Sequence, residues 1–102
     1  MSMTSFEAVA DPARRALLDA LVGGPKAVGA LSEVTGLSQP NTSRHLRILR
    51  ETGMVSRTPD GQRRLYALRP ERLLEIERWL TPYRELWRSS LDDLERHLDE
   101  GS

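Results

Sequence analysis

Leu37-Ser38-Gln39-Pro40-Asn41-Thr42-Ser43-Arg44-His45-Leu46-Arg47-Ile48-Leu49-Arg50-Glu51 is the stretch on which the fold turns. Ser38 suits a helix N-cap, and Pro40 falls in the first turn, where a missing N–H costs nothing. The spacing predicts a helix over 38–51, ended by Gly53. Thr42, Leu46 and Leu49 recur at i, i+4 and i+7, which makes one face for burial. Pro40, Ser43, Arg44 and Arg47 fall on the far side, with Gln39 and Asn41 at the N-terminal tip. That outer face holds no carboxylate before Glu51. Taken alone, the same pattern also describes an ordinary amphipathic helix with a solvated face.

The flanking segments give the helix its setting. Upstream, 27–35 reads as a helix with Val28, Leu31 and Val34 on one side, Gly36 as its C-cap and Leu37 dropping into the core. Further upstream, 4–10 is a short helix carrying Phe6, Val9 and Ala10. Asp11 and Pro12 then open another, with Ala13, Ala16, Leu17, Ala20 and Leu21 on one face and Gly23-Gly24-Pro25 as its stop. Downstream, 54–58 and 63–68 are short strand segments, and Pro59-Asp60-Gly61-Gln62 between them marks a hairpin. Two helices joined by a tight glycine-containing turn, then a hairpin, make a winged helix-turn-helix. The fold class is mainly α (α+β), with a two-stranded β-wing and helices at both termini.

Charge gives this arrangement a purpose. From Gln39 to Tyr66 there are six arginines against Glu51 and Asp60. Residues 1–69 hold ten Lys/Arg and six Asp/Glu, while 70–102 hold five and nine, although the whole chain is neutral. Such an asymmetry suits a surface that meets a polyanion, and is equally open to being a chance imbalance of solvated side chains. Arg, Asn, Gln and Ser are the side chains that read base edges in the major groove, and a basic hairpin beside such a helix reaches the adjacent backbone or minor groove. The candidate DNA-binding residues are Ser38, Gln39, Asn41, Ser43, Arg44, His45 and Arg47 on the helix, and Arg57, Arg63 and Arg64 on the wing. His45 is read as DNA-facing or packed on the wing.

The segment 10–18, reading Ala-Asp-Pro-Ala-Arg-Arg-Ala-Leu-Leu, resembles the opening signature of the ArsR/SmtB winged-helix repressors. Residues 37–55 resemble their recognition helix and the entry to the wing, and 60–68 their wing, so the likeness covers about 6–69. The resemblance implies a homodimeric transcription factor of bacterial type, usually a repressor on a near-palindromic operator. It also implies tests for metal, which this chain does not meet. Ala27 and Gly29 stand where the thiolate sites of metal-sensing members have cysteines. His97 and Glu100 form half of a carboxylate–histidine site, but the upstream half reads Arg84-Glu85-Leu86. No metal and no cofactor are expected.

The tail 70–100 is expected to be a dimerisation helix appended to a core and wing over 4–69, the whole of 1–102 forming one domain. Leu73, Ile76, Leu80, Tyr83, Trp87, Leu91, Leu94 and Leu98 step by three or four. Trp79, Tyr83 and Trp87 put most of the chain's aromatic surface on this stripe. It reads as a dimer interface, in preference to the lining of a ligand pocket, and the resemblance implies that the short helix of Phe6 joins it. The interface set is Phe6, Leu73, Ile76, Leu80, Tyr83, Trp87, Leu91 and Leu94. Pro82 should kink or split the helix near Leu80-Thr81, making a hinge at which an unidentified small-molecule effector could act.

The 102 residues contain no cysteine, which removes disulfides, thiolate metal sites and a cysteine nucleophile together. There is no Gly-rich phosphate loop, and Ser43, Arg44 and His45 are neighbours that cannot face one another on a helix, so no enzyme is read here. No apolar run is long enough to span a membrane, and no secretory leader is visible at the start, so a cytoplasmic location is expected. The partners expected are double-stranded DNA and a second copy of the chain. The alternative is a winged-helix module that binds protein, with its basic face incidental.

Overall fold

A computed structural model describes residues 3–100. Helix α1 (Ser5–Val9) opens on a capping box: the Glu7 N–H donates to Thr4 Oγ1 at 3.1 Å and the Thr4 N–H donates to Glu7 Oε1 at 3.4 Å. Helix α2 (Pro12–Leu21) is capped by Asp11, whose carboxylate accepts from the N–H of Ala13 at 2.8 Å and of Arg14 at 3.3 Å. Strand β1 (Lys26–Ala27) and helix α3 (Val28–Thr35) follow. Gly36, at φ +77°, turns the chain into helix α4 (Gln39–Glu51), whose Asn41 N–H donates to Ser38 Oγ at 3.3 Å.

The wing is strands β2 (Val55–Asp60) and β3 (Arg63–Leu68), paired antiparallel from Val55↔Leu68 to Asp60↔Arg63. Two positions differ from expectation here. Pro59 and Asp60 lie within the ladder, leaving only Gly61 and Gln62 as the turn. Of these, only Gly61 takes a positive φ (+63°), as in a type II′ turn. Pro59 is tolerated because β2 is an edge of the sheet order β1-β3-β2, so no partner needs its missing N–H. The sheet also has three strands and not two: Lys26 and Ala27 pair with Tyr66 and Leu65. A two-residue strand has no periodicity to betray it, and Ala27 caps α3 where the sequence reading had it inside the helix.

The core is aliphatic. Ala8, Leu17, Leu18, Leu21, Leu31, Leu46, Leu49, Met54, Val55 and Tyr66 are buried together, so α1–α4 and the base of the wing share one interior. Thr42 is fully buried as well, its hydroxyl donating to the Ser38 carbonyl at 2.8 Å. This is the inward face of α4 that the spacing predicted.

After a 3-10 turn (Pro70–Arg72), helix α5 (Leu73–Glu100) runs for 28 residues without a break. The expected split at Pro82 is absent. Proline removes the bond to the carbonyl four residues back, but residues 77–79 and 81–100 are exposed, so water can satisfy the freed group and the apolar periodicity continues across it. The helix contributes no buried residue, and the molecule is 63 Å in its longest dimension. Among the described residues, no helix is long and apolar enough to cross a membrane.

Candidate nucleic-acid interface

The outward face of α4 is bare. Ser38, Gln39, Asn41, Ser43, Arg44 and Arg47 are exposed, as are Arg57, Arg63 and Arg64 on the wing. Their roles within the protein differ. Ser38 Oγ is engaged in capping α4. Arg47 lies 3.9 Å from Glu51, and Arg63 Nη2 lies 3.2 Å from Asp60, all four side chains solvent-facing. Surface pairs of this kind are worth little and exchange readily for another anion. Among the described residues, Arg44, Arg57 and Arg64 have no carboxylate within ion-pair distance.

His45 is a correction. It does not face outward: it is 7% exposed, and its Nδ1 lies 3.5 Å from Arg14 Nη1 on α2. The reason lies in the helical period, since 42, 45, 46 and 49 form one inward stripe and the ring sits at its edge. Arg14 is itself buried, and it donates to the carbonyls of Ala8 at 2.7 Å and Glu7 at 3.1 Å, with Asp11 3.9 Å away. Asp11, Arg14 and His45 therefore tie α1 and α2 to α4. Burial depresses the His45 pKa below its ordinary 6.5; Asp11 opposes this, while the charges of Arg44 and Arg14 reinforce it. The Asp11 carboxyl lies below its ordinary 3.8. Partial burial raises it, but the N–H groups of Arg14 and Ala13 and the Arg14 and His45 charges together outweigh that.

Two residues at this surface were missed by sequence reading. Arg50 and Tyr66 join Ser43, Arg47, Arg57 and Arg64 around a cleft of about 290 Å³ between α4 and the wing. The pattern was available. Ser43, Arg47 and Arg50 lie within about 60° on a helical wheel. Arg57 is directly opposite Tyr66 in the ladder, and Arg64 is two residues from Tyr66, so all three share a sheet face.

The terminal stripe divides in two. Leu73 and Ile76 are half-buried on their own chain, lining an apolar cavity of about 280 Å³ with Val9, Leu18, Val22 and Leu68, and Leu80 is half-buried too. Beyond them, Tyr83, Trp87, Leu91 and Leu94 are 43–64% exposed, and Phe6 is 42% exposed. Phe6 meets Trp79 edge-on at 5.7 Å, and Trp79 lies 5.0 Å from Tyr83, so α1 and α5 carry one continuous aromatic patch. Among the described residues there is no cluster of three or more metal-ligating side chains, and His97 is exposed near the end of α5.

Residues 11–57 match the family model of the bacterial regulatory proteins of the arsR family, a span from the cap of α2 through α4 into β2. The chain is 37% identical over 97 residues to the HTH-type transcriptional regulator Rv2034 of Mycobacterium tuberculosis, covering 87% of this chain and 91% of that one. It belongs to the ArsR family. The transcriptional repressor SdpR of Bacillus subtilis is 36% identical over 75 residues, covering 74% of this chain and 83% of that protein. A homodimeric winged helix-turn-helix DNA-binding domain from Mycobacterium bovis superposes with a TM-score of 0.64 at 26% identity, covering 78% of this chain and 74% of that domain. This ArsR-family chain is a DNA-binding transcriptional regulator built on a winged helix-turn-helix.

Proposed function

We propose that the protein is a homodimeric repressor that binds a near-palindromic operator, with α4 in the major groove and the wing on the adjacent backbone or minor groove. Gln39, Asn41, Ser43, Arg44 and Arg47 reach base edges or the phosphates beside them, and Arg57, Arg63 and Arg64 hold the backbone. The observation that carries this reading is the two-sided character of α4. Thr42, Leu46 and Leu49 anchor it in the core while its opposite face, free of large apolar groups, offers guanidiniums to solvent.

The residues 4–69 and the helix beyond them work as one domain. The exposed Trp and Leu stripe of α5, joined to Phe6, is too much apolar surface to leave wet on a small monomer, and a second copy covers it. The two α4 helices then address successive major grooves about 34–36 Å apart. The repressor sense is supported by the likeness to SdpR, and the twofold arrangement by the likeness to the homodimeric domain. A bacterial regulator of this kind acts on DNA in the cytoplasm.

Selection of bound sequences from a random duplex pool tests the reading. The expected outcome is enrichment of a dyad-symmetric site, with log K falling against log salt at a slope of about −5 to −7 for three or four arginines per protomer. No enrichment, or binding indifferent to salt, overturns it.

A further inference from the structure

The cleft between α4 and the wing has a composition that the helix or the wing alone would not produce. Arg47 and Arg50 come from α4, Arg57 from β2 and Arg64 from β3, and among the described residues no carboxylate lines it. Only Arg47 has a carboxylate nearby, Glu51, and that pair is solvent-facing. Among the described residues, the side chains of Arg50, Arg57 and Arg64 make neither an ion pair nor a hydrogen bond. Guanidiniums drawn to one hollow repel one another until an anion enters. Tyr66 adds a second, independent pointer. Only 7% of its surface is exposed, yet its hydroxyl has no partner among the described residues. Since no buried polar side-chain atom among the described residues lacks a partner, the hydroxyl opens to solvent, and the residue lines this cleft. Ser43 supplies a second neutral donor.

We propose that this cleft is the seat of a single phosphate of the DNA backbone, gripped from one side by Arg47 and Arg50 and from the other by Arg57 and Arg64, with Ser43 and Tyr66 as neutral donors. The proposal rests on the DNA-binding reading above and adds to it. A phosphodiester has two non-bridging oxygens, so guanidiniums arriving from two elements can each take one. The chemistry fits the position, because a strand bordering the groove that α4 enters passes between that helix and the wing. The seat fixes the angle between reading helix and wing, so Arg50 and Tyr66 are positioning residues without reading any base.

The test uses the full-length protein and a duplex recovered from the selection, prepared with one methylphosphonate at each backbone position in turn. One neutralised position per half-site is expected to weaken wild-type binding about tenfold or more. Arg50→Gln should weaken binding to the unmodified duplex by a similar factor, flatten the salt slope by about one unit per protomer, and show little further loss at that one position. Tyr66→Phe should cost less and leave the slope unchanged, because it removes a neutral donor. A thermal melt confirms that each variant is folded; if Arg50→Gln is not, Arg57→Gln, exposed on the wing, replaces it. Wild-type binding with no position specifically coupled to Arg50 or Arg57 overturns the seat alone, whereas failure of the wild type to bind any duplex overturns both readings. Stabilisation of the free wild type, but not of Arg50→Gln, by inorganic phosphate at fixed ionic strength, without methylphosphonate coupling, would assign the cleft to a small anion and overturn the duplex seat.

Discussion

The arginines of α4 and the wing differ from those of α5 in their company. On α5, Arg84, Arg88 and Arg96 each lie 3.4 Å from a carboxylate on the same helix, and Arg72 just before it lies 3.1 Å from Glu75. On α4 and the wing, Arg44, Arg50, Arg57 and Arg64 have no such partner among the described residues. The apolar groups divide the opposite way. The exposed side of α4 shows no large hydrophobic residue, while α5 exposes Trp79, Trp87, Leu91, Leu94 and Leu98. One region thus keeps four arginines without a carboxylate partner, while α5 pairs three of its four arginines and exposes apolar area instead. Net charge hides this, since the chain sums to zero. The proposed polyanion-binding face and the proposed self-association face differ in which groups the fold has left unsatisfied.

The largest expected effect lies on α5. Trp87→Ala should weaken self-association by about 2 kcal/mol or more, the scale of a central aromatic anchor at an interface. Sedimentation velocity at low concentration reads it directly, and an unchanged profile would show that the stripe is not the contact. On the basic face, Arg44→Ala should weaken operator binding by about 1–3 kcal/mol and relax preference at one base position, if the guanidinium pairs with guanine. Equal weakening on every sequence would move Arg44 to the backbone class of contact.

Between the two regions stands the Asp11–Arg14–His45 cluster. Asp11→Ala should cost about 1 kcal/mol of stability through loss of the α2 cap, measured by denaturant melts. The same cluster makes stability depend on pH. His45 has a folded pKa below its unfolded 6.5, so the unfolded chain takes the proton first. Its contribution is therefore complete above pH 6.5 and declines as pH falls from there through the folded value. Asp11 behaves with the same sign in a lower window: its contribution is complete above 3.8 and is lost as pH falls through its depressed value. His45→Gln should remove the upper step and leave the lower one, and a melt series from pH 8 to pH 3 separates them. The smallest effect is a control on α5. Arg88→Ala, which breaks an exposed pair with Glu85, should change stability by less than about 0.5 kcal/mol and leave the DNA salt slope untouched. A flattened slope would erase the distinction between the two arginine sets.

Periodicity and cap chemistry alone determined the helices of 4–51, the buried stripe of Thr42, Leu46 and Leu49, the hairpin around Gly61 and the apolar seam of the tail, because each is a local pattern whose spacing fixes a face. Only the tertiary structure decided the rest. His45 lies one position to the side of that stripe, and whether such a ring turns outward or inward depends on what waits there; here it is Arg14, thirty-one residues away in the chain. Lys26 and Ala27 become a strand only because β3 presents an open edge to them. The cleft of Arg50, Arg57, Arg64 and Tyr66 exists only once helix and wing are docked, since no spacing rule relates Arg50 on α4 to the hairpin residues. Contacts that span the chain are set by how the layers pack, and that is a property of the whole fold and not of any window of sequence.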